Sequence, residues 1–161
     1  MTNPFELPKE LLHEIIMRTI EIDNISNKII RESFGLDLKF GDEKDNCKPL
    51  NMNRIFRFNE FFLVNFGASS RADLLFEIIK EINKQNKEEL RPEGDFKGDL
   101  IKFYKIRDIF AHNLYPKDLK GITRLESSEP YWGELNKQHL ELYNKLKEFL
   151  TKMASIKQKE N

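Results

Sequence analysis

The feature that most constrains this chain is the recurrence of branched aliphatic residues every three or four positions after Pro8. Leu11, Ile15, Ile22, Ile25 and Ile29 form the stripe, and Leu12, Ile16 and Ile30 widen it. That spacing puts apolar side chains on one side of a helix rather than on alternate positions of a strand. Pro8 suits a first helical turn, where its missing N–H costs nothing, and Gly35 supplies a stop. The spacing therefore predicts a helix from Pro8 to Phe34, roughly 40 Å long at about 1.5 Å per residue. An element of that length is a spine that other helices must cover.

Other stretches repeat the pattern. From Asn53, Ile55, Phe58, Phe62 and Phe66 recur at helical spacing, with Phe56, Phe61, Leu63 and Val64 adding bulk before Gly67. So many aromatics fill a core or cover a dimer surface. Leu74, Leu75, Ile78, Ile79 and Ile82 predict a third helix ending near Gln85, with Ser69 or Ser70 as cap and Asp73 placed as in a capping box. Asp95 caps a fourth helix that must end by Pro116. A fifth runs from about Glu134 to Ile156 on Leu135, His139, Leu142, Leu146, Phe149 or Leu150, and Met153. Residues 35–52 read as a loop or short hairpin, 116–133 as a loop and 157–161 as a frayed tail. The expected fold class is all-α, a four- to five-helix bundle forming a single domain over residues 1–161.

Composition narrows the function. Charged residues make up 34% of the chain and apolar ones 39%, a mixture that suits amphipathic helices. There is no long uncharged apolar run to span a membrane, and MTNPFELPKELL lacks the basic start and apolar block of a secretory signal, so a cytoplasmic protein is expected. Cys47 is the single cysteine, which excludes an intrachain disulfide and a multi-cysteine zinc site. The 27 basic and 27 acidic residues cancel, so nucleic acid must be held by a local patch. One is present: between Lys97 and Arg124, seven bases (Lys97, Lys102, Lys105, Arg107, Lys117, Lys120, Arg124) face three acids (Asp99, Asp108, Asp118).

That patch contains KFYKIRDIFAHNLY, residues 102–115. On a helical wheel Phe103, Ile106, Phe110 and Leu114 share a packing side, while Tyr104, Arg107, Asp108 and His112 cluster on the other. Histidine moves protons near neutrality, and arginine stays charged and offers phosphate a fork of donors. Together they suit cleavage of RNA, whose own 2′-hydroxyl is the nucleophile, with no metal or other cofactor required. Asp108, four residues before His112, is placed to orient the imidazole, and Tyr104 to position a base or phosphate. Arg107 and His112 nevertheless point about 140° apart around the axis, so a complete site needs two copies of the helix across a twofold axis. The ordinary structural alternative is a surface helix in which Arg107 pairs with Asp108 and His112 caps the helix end.

Arg107-Asp108-Ile109-Phe110-Ala111-His112 resembles the signature of the HEPN superfamily: an arginine, four to six residues usually beginning with a polar one, then a histidine. The late motif helix, the long first helix and the all-α chain of this size are similar too. The resemblance implies a bundle that dimerises through the motif helix and acts as a metal-independent ribonuclease of toxin–antitoxin, abortive-infection or CRISPR type. Arg107 and His112 would then be the catalytic pair, with Asp108, Tyr104 and Asn113 in support, Lys102, Lys105, Lys117 and Lys120 along the RNA, and a possible antitoxin or defence-system partner. Asp108 stands where the family often has asparagine, and it brings a negative charge to the phosphate site. The stretch Asn65–Ile79 followed by the motif is also similar to the mannitol-operon repressor-like group, whose counterpart role would be a non-catalytic dimeric binding module or transcriptional regulator.

Three further residues have defined expectations. His139 lies on an apolar stripe and is expected to be packed or interfacial. His13, with Glu10, Glu14 and Glu21 on the same helix, is expected to be a solvated face rather than a metal site, which needs more converging ligands. Trp132 is expected to anchor a loop to the bundle, with stacking on a flipped RNA base as the alternative.

Overall fold

A computed structural model of the chain describes residues 7–34, 67–85, 90–112 and 128–159. Within them the chain is helical without strands: α1 (Lys9–Ser33), α2 (Ala68–Gln85), α3 (Phe96–Ala111) and α4 (Ser128–Lys159). The aromatic-rich helix expected from Asn53 and the loop or hairpin at 35–52 lie outside the described residues.

The stripe of α1 dictates the packing. Ile15, Ile22 and Ile29, spaced by seven residues, are completely buried, and α1 packs most extensively along α4. One apolar cluster joins Ile22, Ile29 and Ile30 to Leu75 and Ile79 of α2, Leu100 and Phe103 of α3, and Leu146, Leu150 and Met153 of α4. A second, toward the other end of the bundle, gathers Ile15 with Ile106, Ile109 and Phe110 of α3 and with Tyr131, Trp132 and Leu135 of α4. On the outer side of α1, Ile16, Met17 and Ile20 remain exposed among the described residues. A polar clasp also joins α1 to α4: Lys147 Nζ donates to Glu21 (2.6 Å) and to the Tyr143 hydroxyl (3.0 Å), while that hydroxyl donates to Glu21. The hydrogen bonds from Lys147 and then Tyr143 hold the Glu21 carboxyl below its usual pKa.

Helix ends follow local chemistry with two corrections. Pro8 and Phe34 flank α1 as expected, and the Asp95 carboxylate accepts from the Gly98 N–H at 3.0 Å to cap α3. A Cβ on Gly98 would meet that carboxylate at 2.2 Å, so glycine is what lets the cap close. α2, however, is already under way at Ala68. Ser69 and Ser70 therefore lie inside it, and Asp73 pairs with Lys97 at 2.7 Å instead of completing a capping box. α4 starts at Ser128, six residues before the expected Glu134, and runs to Lys159, past the expected end at Ile156. Pro130 falls in its first turn, where no intrahelical hydrogen bond is lost, so it does not break the helix.

Ile22→Ala removes a fully buried side chain between three helices and is expected to destabilise the protein by about 2–5 kcal/mol in denaturant unfolding. Asp95→Ala should cost about 1 kcal/mol in the same measurement.

Candidate functional site

α3 carries the candidate residues, and its rotation is set by Phe103 and Phe110, both buried. Phe103 stacks on the His139 ring at 4.1 Å between centroids, and Phe110 meets Trp132 edge-on at 5.0 Å. With that side turned inward, Ile101, Lys105, Asp108 and His112 lie on one outward stripe at helical spacing, each exposed. Lys102 is exposed beside them, and neither Lys102 nor Lys105 forms an ion pair among the described residues. Lys97, by contrast, is engaged by Asp73.

Arg107 and His112 are not brought together within one chain. His112 occupies the C-cap of α3, with its backbone N–H donating to the Asp108 carbonyl at 3.0 Å, and its exposed imidazole has no side-chain partner among the described residues. The expected orientation of that ring by Asp108 is not formed. The Asp108 carboxylate turns to Arg107, 2.8 Å from Nε. That contact lacks hydrogen-bond alignment, so Nε is held by charge and proximity alone. This is the pairing of the ordinary structural alternative. The Arg107 side chain is 39% exposed, and its Nη groups make no hydrogen bond among the described residues.

Tyr104 departs furthest from expectation. The helical wheel puts it on the open side of the helix, yet it is 4% exposed and faces α1 and α2. Its hydroxyl donates to the Asp23 carboxylate, and burial, together with the charge of Asp23, pushes its phenol far above the ordinary pKa. Arg71 of α2, itself buried, donates to Asn27 and lies 3.9 Å from Asp23. The Arg71 and Arg107 guanidinium carbons stand 5.9 and 5.7 Å from the Tyr104 ring centroid. Asp23, Asn27 and Arg71 are functional candidates not visible in the sequence, because nothing in local spacing links Asp23 and Asn27 of α1 to Arg71, 44 positions beyond Asn27, or to Tyr104, 81 beyond Asp23. Asn113, Lys117 and Lys120 lie outside the described residues.

The other histidines and the tryptophan have structural surroundings. His139 is fully buried, with Arg18 Nη1 at 3.5 Å from Nδ1 and no partner for Nε2 among the described residues. Burial, and secondarily the Arg18 charge, lowers its pKa to about 3. Arg18 also donates to Asn136 at 2.8 Å and to Glu14 at 2.9 Å. Glu14 and Glu21 thus have basic partners, and among the described residues no three potential metal ligands converge around His13. Trp132 is 1% exposed inside α4, so it is a core residue of that helix rather than a loop anchor, and its ring is not open to a base.

Compared with known proteins, the sequence matches no family model, and no curated protein or solved structure is significantly similar to it.

Because the His139 pKa is lower folded than unfolded, the unfolded chain takes up a proton first as pH falls below about 6.5. Its contribution to stability is full above that pH and is lost toward pH 3, at no more than about 1.4 kcal/mol per pH unit. The His139 Cε1–H resonance should accordingly not titrate between pH 8 and pH 5, and His139→Leu should flatten the acid side of a Tm against pH curve.

Proposed function

We propose that the chain is a HEPN-like, metal-independent endoribonuclease that works as a homodimer, with its site composed from two copies of α3. His112 transfers protons between the RNA 2′-hydroxyl, the phosphate and the leaving 5′-oxygen, and Arg107 stabilises charge on the phosphate. The observation that carries this reading is the division of α3. His112, Lys102 and Lys105 are exposed, the two lysines without ion pairs among the described residues, while Arg107 is held at the side with Nη donors that have no partner there. A twofold axis at the Ile101–Lys105–Asp108–His112 stripe would bring the histidine of one protomer toward the partner's α3, with Ile101, 38% exposed, supplying apolar contact. The exposed lysines would hold RNA by its phosphates, making binding fall with salt.

A specific observation favours a second reading. The Arg107 contact with Asp108 partly neutralises the cation that a phosphate must engage, as expected of a non-catalytic dimeric binding module or regulator built on the same helix.

Purified protein incubated with total RNA in EDTA separates the two. Cleavage that falls at least 100-fold in His112→Ala, and similarly in Arg107→Ala, supports the nuclease. Equal cleavage by wild type and His112→Ala, or none by either across a salt range, removes it. An Arg107→Ala/His112→Ala double variant that remains folded and dimeric and still binds RNA without cutting supports the module.

A further inference from the structure

The polar cluster between α1, α2 and α3 has a role that a packing description does not supply. An arginine on a half-exposed helix surface has a long, mobile side chain, and a useful phosphate fork needs its guanidinium plane fixed in advance. Arg107 is confined on two sides. Asp108 lies at its Nε, and the Tyr104 ring lies 5.7 Å from its Cζ, within the range in which a cation is attracted to an aromatic face. The ring is itself anchored. Its hydroxyl donates to Asp23, its edge meets Phe103 at 5.6 Å and 80°, and the buried Arg71, bonded to Asn27, stands near it as a second cation. Asp108 stands at Nε by charge and proximity, while the two Nη groups have no partner among the described residues, which leaves that donor pair suited to two oxygens of one phosphate.

We infer that Tyr104 is a positioning residue for Arg107, a buried platform that Asp23, Asn27 and Arg71 hold in place so that the guanidinium presents its Nη edge outward. Arg107 is thereby oriented from α1 and α2, and a change at residue 23 or 71 reaches the motif through the tyrosine. The catalytic consequence rests on the nuclease reading above; the spatial claim does not.

Arginine side-chain NMR reads the spatial claim directly, with the Arg107 Nε–Hε signal assigned by its loss in Arg107→Lys. Tyr104→Phe keeps the ring but loses its bond to Asp23, and should shift that signal less than Tyr104→Leu does. Tyr104→Leu should move it to the position of a solvated arginine, and Asp23→Ala, which frees the hydroxyl, should shift or broaden it. An unmoved signal in Tyr104→Leu with native helical circular dichroism overturns the inference. Should that variant not fold, an unmoved signal in Asp23→Ala does so. In cleavage assays, Tyr104→Leu should lower kcat at least tenfold with KM within twofold, and Tyr104→Phe should lower kcat less than threefold. RNA cleavage that depends on Arg107 and His112 but stays within twofold of wild type in folded Tyr104→Leu sinks the positioning role and leaves the nuclease standing. No His112-dependent cleavage, with an Arg107 signal that responds to Tyr104→Leu, does the reverse.

Discussion

Burial of Ile15, Ile22 and Ile29 on one line of α1 is the constraint from which the arrangement of the other helices follows. Each such side chain contributes about 1.5–3 kcal/mol when removed from water, and the line can be covered only by helices laid along it. α3 meets this demand with Leu100 and Phe103 at one end and Ile106, Ile109 and Phe110 at the other. Once those residues face inward, the helix has no rotational freedom left. Lys105, Asp108 and His112 must point away from the core, Tyr104 falls at the border facing α1 and α2, and the partly exposed Arg107 lies beside its ring. Packing thus decides which chemistry is open to solvent.

The border is polar because three helices meet there with charge to accommodate. A buried arginine is tolerated only when its charge and donors are matched, and Arg71 finds Asn27 and Asp23 on α1. Asp23 in turn accepts the Tyr104 hydroxyl, so the carboxylate serves two helices at once. A second polar layer, Arg18 with Glu14, Asn136 and His139, joins α1 to α4. The two layers differ in exposure: His139 is buried and kept neutral, whereas Asp23 is one-third exposed.

What could be read from residue order was what periodicity and caps encode. The extent of α1, the Asp95 cap and the end of α2 near Gln85 follow from three- and four-residue spacing and from single capping side chains. The start of α4 was missed because Pro130 and Gly133 look like loop residues, although a proline in a first turn costs a helix nothing. A helical wheel separated Arg107 from His112 correctly, but it could not tell a border residue from an open one. Tyr104 is covered by Asp23, 81 positions away, and by Arg71, and only tertiary packing brings them together. The Asp108 carboxylate had two neighbours within reach, and its choice of Arg107 over His112 depends on side-chain rotamers that spacing does not specify.

The chain has a single tryptophan, and it sits edge-on against Phe110, two residues before the C-cap histidine. Its indole is shielded from water, with Tyr131 at 4.9 Å on the same helix. The molecule therefore carries a built-in optical gauge of its own motif: blue-shifted emission while the last turn of α3 is docked on α4, and a red shift whenever that turn lifts away.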